Sequence, residues 1–168
     1  MELLDLLNKY IRPSEAPLAN ATEHFDTVAQ QAAPRQLSGG IAAAFRSDAT
    51  PAFGQTIAGL FGQSNPEQKA GALNHLLEAL GPSAAAVAGG GLLQRLGLSA
   101  GSGPISPAQA SQVSAADVSA IATHAEQQNG SIVDRLSSFY AQHPTLVKTL
   151  GVAALGAVMS HMSKQRTV

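Results

Sequence analysis

Helix starts recur along this chain, and almost no other local signal competes with them. Thr50-Pro51, Asn65-Pro66 and Ser106-Pro107 each place a capping side chain before a proline. The cap oxygen accepts a hydrogen bond from an otherwise unpaired backbone N–H, and proline at the first helical position gives up an N–H the helix would not use. Asn20 to Glu23, Ser64 to Glu67, Ser114 to Asp117 and Ser131 to Asp134 add the spacing of capping boxes, the two Asp cases being weaker variants. Each signal precedes apolar residues at i, i+3, i+4 and i+7, which gives a helix one face to bury. No segment alternates β-branched and polar residues with period two, so no strand is placed. The expectation is an all-α fold of about eight to ten short helices with no β-sheet.

Residues 1–12 set Leu3, Leu4, Leu7, Tyr10 and Ile11 on one stripe and stop at Pro13. Asn20 opens a second helix with Ala21, Phe25, Val28, Ala29 and Ala32 inward, and Pro34 ends it or begins the next. A third segment runs through Leu37, Ile41, Ala44 and Phe45. Gly39-Gly40 weakens it, since each mid-helix glycine costs about 1 kcal/mol relative to Ala. The fourth is read as starting at Pro51, with Phe53, Ile57, Leu60 and Phe61 inward. The fifth starts at Pro66, carries Ala70, Leu73, Leu76, Leu77 and Leu80, and closes with Gly81-Pro82. Gly89-Gly90-Gly91 then breaks an apolar stretch into two short helices or one bent one.

Ser99 to Gly103 reads as a linker, which divides the chain into an N-terminal helical region (1–98), a linker (99–104), a C-terminal helical region (105–163) and a tail (164–168), the alternative being one compact domain overall. Beyond the linker come a short helix from Pro107 and one from Ala115 that carries Val118, Ile121, Ala122 and Ala125 and stops at Asn129-Gly130. A further helix holds Ile132, Val133, Leu136, Phe139 and Tyr140. The last starts at Pro144 and is read as continuous towards Met162.

Composition narrows the function classes. The 168 residues are 45% hydrophobic and carry a formal net charge of -1, the balance of a folded globular chain. Only 12% are charged, about half the usual share, so charge solvates the surface weakly and self-association is easier. With no cysteine there is no disulfide, thiolate metal site or cysteine nucleophile. Met1-Glu2-Leu3-Leu4-Asp5 places acids where a secretion signal carries basic residues, so a cytoplasmic location is expected.

The order "ISPAQASQV", "SAADVSAIATHA", "NGSIVDRLSSFYAQHPTLVKTLG" over residues 105–151 resembles the YidB-like bacterial family of unknown function. Short helices there follow one another as Ser-x-x-Gln-x-x-x-Val, a helix, then x-Pro-x-Leu-Val-x-x-Leu. The resemblance covers roughly the C-terminal third. It implies a compact orthogonal array of helices and brings no catalytic residues with it. The long N-terminal region and the "QHPTL" junction depart from the family pattern.

Three chemical readings compete with a structural one, and each is short of parts. Residues 107–128 have the outline of a helix-turn-helix, but the stretch from Ala115 to Gln128 has no Lys or Arg to meet phosphate and places Asp117 and Glu126 there instead. Arg135 and Lys148 are the basic residues between Gly97 and Lys164, so no nucleic-acid partner is expected. Glu23, His24 and Asp26 cluster at a helix start, and His75 lies three residues before Glu78. A zinc site needs three or four ligands at characteristic spacing, whereas Glu23 and Asp26 fit a helix N-terminus and His124, His143 and His161 stand apart. Gly89-Gly90-Gly91 lacks the Lys-Ser/Thr of a phosphate loop. No catalytic residue, metal or cofactor is assigned.

The final helix carries the functional expectation. Thr149 to Ser160, "TLGVAALGAVMS", is uncharged, with Lys148 before it and His161, Lys164 and Arg166 after. Its length of roughly 18 Å at helical rise falls short of a hydrocarbon core of about 30 Å, so no transmembrane span is expected. Gly156 with Ser160, and Ala153 with Ala157, form small-xxx-small faces that allow close helix approach. Leu146, Val147, Leu150 and Ala154 are assigned to internal packing. Val152, Gly156, Met159 and Ser160 are assigned to an interaction face. The expected role is a non-enzymatic helical protein-interaction or assembly module, with a protein partner or self-association. The alternatives are weak peripheral membrane contact through this helix, and an enzyme whose chemistry the sequence does not name.

Overall fold

In the computed structural model, which describes residues 5, 20–48, 50–87, 94 and 103–165, every regular element is helical and no strand occurs among those residues. In chain order these are α1 (Ala21–Gln31), α2 (Pro34–Phe45), α3 (Phe53–Gln63), α4 (Pro66–Leu80), α5 (Ala84–Val87), α6 (Pro107–Ala110), α7 (Ala115–Gln128), α8 (Ser131–Ala141), α9 (Pro144–Val147) and α10 (Val152–Gln165). Short 3-10 turns at Gly81–Ser83 and Lys148–Leu150 lead into α5 and α10. The expected stripe at residues 1–12, the Gly89-Gly90-Gly91 break, most of the 99–104 linker and the end of the tail lie outside the described residues.

The chain forms two compact units, one from Met1–Pro51 with Ser137–Val168, the other from Ala52–Leu136. This division differs from the expected break at 99–104. Ile105 returns to the middle of α4, where the Asn74 side chain holds its backbone on both sides. Ile105 N–H donates to Asn74 Oδ1 at 2.7 Å, and Asn74 Nδ2 donates to the Ile105 carbonyl at 3.3 Å. Residues 105–151 are divided between the units, 105–136 in one and 137–151 in the other.

In the first unit, α10 packs mainly along α2 and also touches α1. Phe25, Val28, Leu37, Ile41, Phe45, Leu155, Val158, Met159 and Met162 are buried. The glycines that weaken α2 by propensity have a packing reason. A Cβ on Gly40 would stand 2.8 Å from Val158 Cγ1 and 3.0 Å from the Val158 carbonyl oxygen, so only hydrogen fits at this crossing. Asp26 of α1 binds the Lys148 ammonium through both carboxylate oxygens, at 2.9 and 3.0 Å, and so ties the start of the α10 segment to α1. A role for Asp26 at the helix N-terminus gives way to this ion pair.

In the second unit, α3 crosses α7, and α4 packs on α6 and α7. Gly54 sits on α7, where an added Cβ would come within 2.6 Å of the Ser119 carbonyl and closer still to the Thr123 hydroxyl. Leu73, Leu76 and Leu80 of α4 are buried as their spacing requires, but Leu77 is only half-buried and belongs to the edge of the stripe.

Two helix boundaries move for local reasons. Thr50 does not cap a helix at Pro51. Its hydroxyl donates to the carbonyls of Ala44 and Ser47 at 2.6 and 2.9 Å, which closes the end of α2, and α3 begins at Phe53. The helix from Pro144 is interrupted at Gly151, whose φ of 93° lies in the left-handed region that glycine tolerates. The segments Pro144–Leu150 and Val152–Gln165 meet there at 118°.

Candidate interaction face

α10 exists as a helix because Gly151 releases the chain from the preceding turn and Leu155 N–H bonds back to the Gly151 carbonyl at 3.1 Å. From there the helix sorts its side chains by face. Ala154, Leu155, Val158, Met159, Met162 and Ser163 are buried, while Val152 and Ala153 are exposed and Gly156, Ala157, Ser160 and His161 are half-buried. Positions 153, 156, 157, 160 and 164 follow the i, i+3, i+4 rule, so they form a continuous outer stripe that ends at exposed Lys164.

Of the four residues assigned to an interaction face, Gly156 and Ser160 lie on this stripe, while Val152 is exposed at the first residue of the helix, beside it. Met159 is fully buried and belongs to the core of the first unit. It lies one residue round the helix from Ser160, and that step carries it to the inner side. Ala153 and Ala157 take its place on the outer stripe, which their own small-xxx-small spacing already indicated. Gly156 differs sharply from Gly40, since a Cβ added there meets nothing within 4 Å. Val152, at 42% exposure, is the large apolar side chain left open to solvent among the described residues. Leu146, Val147 and Ala154 are internal as assigned, and Leu150 is half-buried.

The polar groups that invited chemical readings hold structure. Arg135 faces Glu78 at 3.8 Å, with both side chains well exposed, and Lys148 is held by Asp26. Ser114 Oγ accepts from Asp117 N–H at 3.1 Å and donates to its carboxylate at 2.7 Å. Asn65 and Ser106 each form a reciprocal box with Gln68 and Gln109, so the box of α4 sits one residue later than the Ser64–Glu67 spacing implied. Ser64 instead donates to the Leu60 carbonyl at 2.7 Å. No group of three or more His, Asp or Glu side chains gathers at metal-binding distance among the described residues.

One buried polar atom stands apart from this pattern. Tyr140 is fully buried between Phe45 and Phe139, edge-on to both, and its hydroxyl has no hydrogen-bond partner among the described residues. Burial raises the pKa of this phenol.

No single helix among the described residues is long and apolar enough to cross a membrane. Compared with protein-family models, with curated proteins and with solved structures, the chain finds no match in any of the three.

Proposed function

We propose that this chain is a non-enzymatic helical assembly module that binds a second copy of itself through the outer stripe of α10. The observation that carries the reading is the stripe itself: Ala153, Gly156, Ala157 and Ser160 leave small side chains, with Val152 open at the start of a helix whose other side is firmly packed. Small residues let two helix axes come close, and close approach is what makes dispersion contacts add up. A net charge of -1 means that identical copies repel one another only weakly. The likeness to the YidB-like bacterial family and a cytoplasmic setting belong to the same proposal.

The chain has no cysteine, so Gly156→Cys supplies a unique thiol at a position with free space around it. Mild oxidation should trap a dimer through the thiol at position 156 and not through a control thiol introduced by Gln127→Cys at an exposed site on α7. Equal trapping at both positions would contradict the proposal. The competing reading places the same stripe and Lys164 on a lipid surface, where basic residues at the end of an apolar helix favour anionic headgroups. Flotation with anionic vesicles that is lost in Ala153→Glu, without disulfide trapping in Gly156→Cys, would favour lipid.

A further inference from the structure

We infer that the Asn129-Gly130 junction between α7 and α8 is a site of spontaneous self-modification, closing to a succinimide and reopening to aspartate or isoaspartate. The sequence marks this pair as a helix stop, and the structure supplies the parts of a reaction. The electrophile is Asn129 Cγ, and the nucleophile is the backbone nitrogen of Gly130. Gly130 is exposed, and its N–H has no hydrogen-bond partner among the described residues. A glycine here leaves no side chain beside the attacking nitrogen, and even a Cβ would meet nothing within 4 Å.

Asn129 Oδ1 accepts from Ser131 N–H at 3.2 Å and from Ser131 Oγ at 2.6 Å. Two donors on this oxygen draw electron density from Cγ and stabilise the negative charge that develops on attack. The Asn129 backbone is extended, with φ −148° and ψ 92°, outside both helices. Ring closure turns this peptide and gives up the 3.0 Å bond from Ile132 N–H to the Asn129 carbonyl, a single interaction at an exposed helix start.

The reaction balances without a redox partner. Gly130 nitrogen loses its proton to solvent base and bonds to Cγ. The Cγ–Nδ2 bond then breaks, and ammonia leaves after taking a proton. One water adds to either ring carbonyl and opens the ring, leaving a carboxylate at position 129. The aspartate product keeps both acceptor bonds to Ser131 and puts negative charge at the N-terminus of α8, where the helix dipole favours it. With aspartate at 129 the chain therefore stays folded.

Peptide mass mapping of the full folded chain, held in mildly alkaline buffer over time, tests this. Two other asparagines serve as internal controls. Asn65 precedes Pro66, whose nitrogen carries no proton to lose, and Asn74 lies within α4 with its amide held on Ile105. Replacement of –NH2 by –OH should accumulate at 129, with both isomers present, severalfold faster than at 74 and not at 65. Gly130→Ala should slow it severalfold while leaving the thermal melt unchanged, and Asn129→Asp should melt no lower than the parent chain. A rate at 129 equal to that at 74, a rate unaffected by Gly130→Ala, or a lowered melt for Asn129→Asp would each overturn the inference.

Discussion

Gly40 and Val158 meet so closely that no side chain fits between them: a Cβ at position 40 would lie 2.8 Å from Val158 Cγ1. Alanine would raise the helix propensity of α2 by about 1 kcal/mol, but overpacking of this order costs about 1–3 kcal/mol. Gly40→Ala should therefore lower stability in denaturant melts, and Gly40→Val should lower it further. Unchanged or raised stability for both would show that α2 and α10 can separate at no cost.

Tyr140→Phe should stabilise the chain. The buried hydroxyl has no partner among the described residues, and such a group forfeits about 1–3 kcal/mol of desolvation that phenylalanine does not incur. The same burial gives a pH signature. The folded-state pKa is raised above the ordinary value near 10, so the folded chain holds its proton where the unfolded chain has lost it. Stability from this source is complete below about pH 10 and declines as pH rises beyond it. Melts at alkaline pH should lose this decline in Tyr140→Phe, and an identical pH dependence would place the hydroxyl in a polar setting.

Asn74→Ala should lose about 1–3 kcal/mol, because it strips both hydrogen bonds from the partly buried Ile105 backbone. Amide exchange at Ile105 should quicken in the variant. Protection equal to that of the parent chain would show that the segment before α6 is held by other contacts.

Leu76→Ala and Leu77→Ala form a matched pair on one helix. Leu76 is fully buried, so its truncation should cost about 2–5 kcal/mol through the lost burial and the cavity left behind. Leu77 is half-buried, and its truncation should cost clearly less. Equal losses in urea melts would return Leu77 to the core.

The helices themselves are legible in the sequence because their signals are local. Asn65-Pro66 at the start of α4 and Gly81 at its end, with φ 54°, are where their chemistry puts them. Thr50 departs from its expected capping role because a hydroxyl can bond forwards or backwards, and the choice depends on the turn at Ser47. Gly40 and Gly156 look alike in sequence. Only the partner helix separates them, since one lies under Val158 and the other faces open space. Asn74 and Ile105 are 31 residues apart, and no local pattern announces that clamp. The candidate face is half legible: a helical wheel gives the stripe, but which side turns inward is decided by α2, and that decision moves Met159 into the core.

The most direct measurement of the assembly proposal is sedimentation velocity over a concentration series, with thermal melts alongside, for the parent chain and Gly156→Leu. Because Gly156 has open space and leucine is the better helix former, the substitution should leave the melt equal or higher. The parent chain should associate as concentration rises, and Gly156→Leu should shift it towards monomer without loss of stability. A parent chain that remains monomeric throughout, or a variant that associates just as the parent does, would contradict it.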